Sequence, residues 1–263
     1  MSPAELSGKR ALVTGSSGGL GLAMASALAR AGCDVMLHGI EANESVSPVA
    51  DQLSRESGRR VAYSCVDVST AAGVTELIDS TTALFGTIDI LINNAVVRHF
   101  APIDAFPVAE WDRALAVNVT AAFLAVRAVL GGMRERRWGR IVNMASVYGS
   151  RATTNRVDYV TTKHALIGLT RAIALESIGH GVTCNAVCPA SVRTPSIDSR
   201  MAQLIETGLS EDEAERQFLA GKQPTGTFVE ADDVAALVMF LLSPAGKDIT
   251  GAVLPVDGGW QAS

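Results

Sequence analysis

The chain has 263 residues and carries 22 basic against 27 acidic side chains, a formal net charge of −5. Its composition is 48% hydrophobic and only 5% aromatic, with 24 glycines; this excludes intrinsic disorder and suits an aliphatic parallel sheet wrapped in helices. The mild acidity points away from a nucleic-acid surface, which needs clustered positive charge. The opening MSPAELSGKRALVTG has no basic leader followed by a long apolar stretch. No apolar run approaches the roughly 20 residues of a membrane-spanning helix. A soluble, cytoplasmic protein with no membrane partner is expected. Cys33, Cys65, Cys184 and Cys188 form no CxxC pair and no metal-ligand spacing, so free buried thiols and no metal are expected.

In chain order, β-rich runs fall at 10–13, 34–37, 60–66, 88–92, 140–144, 182–187 and 253–256. Helical stretches lie between them at 20–31, 71–85, 119–135, 159–179 and 231–242. Within 71–85, Val74, Leu77, Ile78 and Leu84 recur at helical spacing. Strict strand–helix alternation predicts one α/β domain over residues 1–263, a doubly wound, Rossmann-like parallel sheet with helices on both faces. Ligands then belong at the carboxyl ends of the strands. A charged insertion rich in helix formers (SEDEAERQFLAGKQP) breaks the rhythm after the sixth strand, and residues 190–226 are expected to form a substrate lid.

The first strand runs into Thr14-Gly15-Ser16-Ser17-Gly18-Gly19-Leu20-Gly21 and then a helix. Small residues there let the backbone turn tightly and approach a pyrophosphate, whose charge the helix N-terminus favours. The spacing of Gly15, Gly19 and Gly21 resembles the TGxxxGxG signature of the short-chain dehydrogenase/reductase family. Asn93-Asn94-Ala95, the set Ser146, Tyr159 and Lys163, and the Pro189 turn appear in that family's order along essentially the whole chain.

The Tyr159/Lys163 pair has its own chemical logic. The two lie one helical turn apart, and an ammonium beside a phenol favours the phenolate that a general base requires. Ser146 ends the fifth strand, where its hydroxyl can reach the same centre. The resemblance implies Tyr159 as general acid/base, Ser146 on the substrate oxygen, and Lys163 on both Tyr159 and the nicotinamide ribose. It implies Asn118 beside a proton-relay water. It also implies cofactor contacts from Gly15, Ser17, Gly19, Leu20, Gly21, Asp67, Val68, Asn94, Ala95, Pro189, Val192 and Thr194. At the end of the second strand, where an acid would hold the adenosine ribose, stand Gly39 and Ile40. The missing base favours NAD over NADP, and the missing acid removes the positive evidence.

Within the family, the segments around Asp104–Pro107, Lys163-His164, Val192–Pro195 and Asp257–Trp260 are most similar to D-3-hydroxybutyrate dehydrogenases. The substrate positions depart from that subgroup: Arg98, Tyr148, Arg156, Ser191 and Arg200 stand where Gln, His, Lys, Trp and Gln are usual. Guanidinium groups grip oxyanions bidentately, so the expected substrate is a small secondary alcohol or ketone bearing an acid group. A homotetramer follows from the resemblance. Two other readings stay open: a reductase of 3-oxoacyl thioesters, and a nucleotide-binding sensor with weak chemistry. The cluster Arg134, Arg136, Arg137 and Arg140 is expected to cap a helix end, where cations complement the dipole.

Overall fold

The computed structural model describes residues 6–193 and 195–263. Seven strands, β1 (Arg10–Val13), β2 (Asp34–Gly39), β3 (Val61–Cys65), β4 (Ile90–Asn93), β5 (Gly139–Met144), β6 (Val182–Pro189) and β7 (Val253–Val256), form one sheet in the order β3-β2-β1-β4-β5-β6-β7. Every pairing is parallel. Strand side chains alternate between faces, and the core divides accordingly. Ala11, Val13, Val35, Leu37, Ile90 and Ile92 join one apolar cluster, while Leu12, Met36 and Leu91 join another on the opposite face. Helices α1 (Gly19–Arg30) and α9 (Ala231–Leu242) cover the first face; α3 (Ala71–Phe85) and α5 (Ala121–Glu135) cover the second. The strand order reverses between β1 and β4, which opens a crevice at their carboxyl ends.

The remaining helices are α2 (Asn43–Ser57), α4 (Val108–Leu115), α6 (Val157–Glu176), α7 (Pro195–Glu206) and α8 (Glu211–Leu219). The sequence pattern gave no sign of α2, a polar helix interrupted by Pro48, or of the short α4. A π-helical turn over Ala116–Thr120 joins α4 to α5, so 108–135 is one continuous rod. That rod is long and apolar enough to cross a membrane, contrary to the sequence expectation. About 44% of its most apolar window is buried inside the fold, and a helix pressed on a sheet needs the same apolar composition. Helix α6 begins at Val157, two residues earlier than expected, so Tyr159 sits in its first turn.

The segment expected as a lid folds into α7 and α8, with Met201, Ala214, Leu219 and Phe228 forming a small core of their own. Ser210 caps α8 in a reciprocal capping box with Glu213. Arg193 ties the base of this unit together through Asp198 at 2.9 Å and Glu211 at 3.0 Å. The arginines of 134–140 bond carbonyls at the far end of the sheet: Arg134 to Glu176, Arg136 to Ile88, Arg137 to Gly179 and Arg140 to Gly181. All four cysteines are free, but Cys65, ending the edge strand β3, is exposed rather than buried.

Candidate active site

A cleft of about 850 Å³ runs along the carboxyl edge of the sheet, lined by residues that follow β1 through β6. Its glycine wall is set by backbone proximity. A side chain on Gly21 would begin 2.2 Å from the Gly15 carbonyl oxygen, and one on Gly15 2.8 Å from the Ala95 Cα. The turn is braced from both sides. Asn94 Nδ2 donates to the carbonyls of Thr14 (3.0 Å) and Gly15 (2.7 Å), while Thr14 Oγ1 accepts from the N–H groups of Asn94 and Ala95. From β2, His38 Nδ1 accepts from Gly15 N–H at 3.1 Å, which leaves Nε2 to donate to the Val66 carbonyl at 2.9 Å. Burial holds the His38 imidazole below its ordinary pKa, consistent with this neutral, bridging tautomer.

Gly15, Ser17, Leu20, Gly21, Asp67, Val68, Asn94, Ala95, Pro189 and Val192 all line the cleft, as does Gly18. Gly19 does not; it begins α1 with its Cβ direction in open space. Thr194 lies outside the described residues. The empty position read at Gly39 is filled by another route. The Glu41 carboxylate folds back so that Oε2 would be 2.3 Å from a Cβ on Gly39. Burial opposes the Glu41 charge, but its own N–H, Ser17, Ile40 N–H and Tyr63 together hold the carboxyl below its ordinary range. The sequence reading missed Glu41 because it lies two residues past the aligned position. Only the absence of a side chain at Gly39 lets it return.

At the other end, Ser146, Tyr159 and Lys163 line the same cleft. Ser146 caps a short turn, its Oγ accepting from Tyr148 N–H at 3.2 Å. Lys163 is buried; its Nζ donates to the Met144 carbonyl at 2.5 Å and stands 5.4 Å from the Tyr159 ring centroid. Burial lowers the Lys163 pKa, and the neighbouring Tyr159 opposes that shift. Arg156 is a second cation on the same ring, its Cζ 4.5 Å from the Tyr159 centroid, and it also faces Phe100 and Tyr148. Arg98, Ser191 and Arg200 complete the expected substrate wall. Lys222, Phe218 and Trp260 line it too, unforeseen because the packing of residues 195–226 and of the C-terminal turn decides what faces inward.

Asn118 is buried on the π turn that precedes α5. Its side chain, 2% exposed, lines no part of this cleft. Oδ1 accepts from Val97 N–H at 2.8 Å, and Nδ2 donates to the Val97 carbonyl (2.9 Å) and Thr162 Oγ1 (3.1 Å). The amide fixes the segment after β4 to α6.

A cleft lined by a braced glycine turn and by Tyr159, Lys163 and Ser146 is the arrangement of a pyridine-nucleotide oxidoreductase. Residues 15–261 match a protein-family model described as enoyl-(acyl carrier protein) reductase. D-beta-hydroxybutyrate dehydrogenase of Cupriavidus necator is 40% identical over 98% of this chain and 99% of its own. L-sorbose reductase of Gluconobacter frateurii, solved with NADPH and L-sorbose, superposes with a TM-score of 0.93 at 29% identity over 100% of both chains. NAD+-bound xylitol dehydrogenase superposes at 0.86 and 30% identity, over 97% of this chain and 100% of that one. The chain belongs to the short-chain dehydrogenase/reductase family and is an oxidoreductase.

Proposed function

We propose that this protein is an NAD-linked dehydrogenase that interconverts a small secondary alcohol bearing an acid group with its ketone. The observation that carries the reading is the convergence of Tyr159, Lys163, Ser146 and Arg156 in one cleft with the braced glycine turn. The close approach of Gly21 to Gly15 and the N-terminus of α1 fit a pyrophosphate. Glu41 beside Gly39 fits the two hydroxyls of an adenosine ribose and opposes a 2′-phosphate, which supports NAD over NADP.

Tyr159 and Lys163, with Asn94, Pro189 and Val192, would hold a nicotinamide ring, which would supply the hydride acceptor for the carbinol carbon in oxidation and the donor in reduction. Tyr159 Oη takes the hydroxyl proton as the carbonyl forms, and gives it back in the reverse direction. Lys163 and Arg156 place their cationic groups against the Tyr159 ring, 5.4 and 4.5 Å from its centroid. Ser146 orients the substrate oxygen, and Arg156 with Arg98 and Arg200 supplies donors for the acid group. Residues 190–226 act as the lid over that end. Exposed Phe123, Leu175, Ile178 and Phe240 support a homo-oligomer, a tetramer by family resemblance. The free cysteines and the sheet-bound rod of 108–135 fit a soluble cytoplasmic enzyme.

The test is reduced-cofactor absorbance with NAD and a panel of hydroxy acids. Turnover is expected with the unaltered protein, and Tyr159→Phe should lower kcat by about 10²–10⁴-fold with NAD affinity retained. Equal turnover by Tyr159→Phe would sink the assignment.

A further inference from the structure

Besides Lys163 at Tyr159 and Arg113 near Asp67, the cleft is lined by four further cationic side chains: Arg98, Arg156, Arg200 and Lys222. Among the described residues, none of them is in an ion pair. The acids lining the cleft are Glu41 and Asp67, which follow β2 and β3 at its adenosine end. Asp158 stands behind Arg156, wholly buried, with Oδ2 accepting from His99 N–H at 2.8 Å. The four cations form two pairs from different parts of the fold. Arg98 and Arg156 come from the segment after β4 and the start of α6. Arg156 is wedged among Phe100, Tyr148 and Tyr159, and its buried Nε has no hydrogen-bond partner.

Arg200 and Lys222 belong to the lid and share one aromatic ring, lying 5.4 and 4.3 Å from the Phe218 centroid. Lys222 Nζ donates to the Phe218 carbonyl at 2.9 Å, which leaves two of its three N–H bonds free. Burial, together with the positive fields of Arg200 and Arg156, depresses the Lys222 pKa. Like charges gathered with only the buried Asp158 as counter-charge, behind Arg156, repel one another, and a single carboxylate satisfies one guanidinium bidentately. A monoanion held by Arg98 and Arg156 would leave both Arg200 and Lys222 without an anion.

We propose that the site takes a dianion: a secondary alcohol or its ketone carrying two acid groups, one held by Arg98 and Arg156 near Tyr159, the other by Arg200 and Lys222 of the lid. The second group is a carboxylate, sulfonate or phosphate, each of which these donors recognise. The cleft's 850 Å³ must also hold the dinucleotide, so the partner is a compact diacid rather than a long thioester. This inference rests on the reading that an alcohol reacts at Tyr159.

The test uses the full-length protein in two arms. In the first, calorimetry of the protein–NADH complex compares glutarate with butyrate, and 3-sulfopropionate with propionate. Each dianion is expected to bind about tenfold or more tightly than its monoanion. Lys222→Gln and Arg200→Gln should each collapse that ratio toward one, while Lys222→Arg, which keeps the charge, should preserve it. Equal affinity of dianion and monoanion, or a ratio unmoved by both neutral variants, overturns the inference. A loss confined to NADH affinity also overturns it, by assigning these cations to the cofactor. In the second arm, kcat/KM with NAD compares 3-hydroxyglutarate with 3-hydroxybutyrate. Dianion-selective binding without turnover of any hydroxy acid overturns the proposed reaction but supports the inference. Turnover without a dianion preference does the reverse.

Discussion

Glu41 and His38 show how single side chains shape the cofactor end. The Glu41 carboxylate is aimed at the space beside Gly39, so removing it takes away two acceptors and a negative charge. Glu41→Ala is expected to lower the ratio of kcat/KM for NAD to that for NADP by about tenfold to a hundredfold, since hydrogen bonds to a charged group contribute about 1.5–3 kcal/mol. Steady-state kinetics with both cofactors reads this directly. His38 joins the glycine turn to the end of β3 only as a neutral ring. Its folded-state pKa lies below the unfolded value of 6.5, so the unfolded chain binds the proton more readily. The imidazole's contribution is therefore complete above pH 6.5 and is lost as pH falls through the depressed native pKa. The difference in urea unfolding free energy between the unaltered protein and His38→Gln should narrow between about pH 8 and about pH 5.5.

Among the elements, the π turn between α4 and α5 performs a task that an ordinary helix would not. Widening the helix by one residue turns Asn118 inward toward the segment after β4, where it clamps both polar groups of Val97. Arg98 follows directly, so the clamp sets one wall of the substrate site. Asn118→Ala leaves three hydrogen bonds unmade in a partly buried place and is expected to cost about 1–3 kcal/mol, a fall in Tm of roughly 2–10 °C. KM for the acid substrate should rise more than KM for the cofactor. Calorimetry and kinetics on the same preparation separate the two effects, and equal rises would assign Asn118 to stability alone. The proposed lid, α7 with α8, depends on its own small core and on exposed ion pairs at Arg193, which contribute little individually, so its position rests on apolar packing.

Charge over the entire protein runs against charge in the site. The chain carries a net −5, yet the catalytic end of its cleft is cationic. A low-dielectric cleft focuses that positive field on an incoming anion, and added salt screens the approach. Raising ionic strength from about 0.05 to about 0.5 M should lower kcat/KM for an acid substrate about threefold or more, and for its uncharged ester much less. An equal fall for both would remove steering from the account.

The alternation of apolar strands and periodic helices was enough to predict the doubly wound sheet, because burying both faces of a parallel sheet requires that pattern. The glycine turn and the Tyr159/Lys163 pair were legible for the same reason: each needs neighbours only a few residues away. What lay beyond reach were contacts between distant segments. Pro48 and a polar surface hid α2, and the averaged hydropathy of 108–135 gave no hint that one π turn would redirect Asn118. Glu41 reaches the cofactor end through the gap at Gly39, and Lys222 reaches the substrate end because α8 folds over it. Periodicity and short spacings are properties of the chain itself. Which charges meet across a cleft is set by packing between elements that the sequence holds far apart.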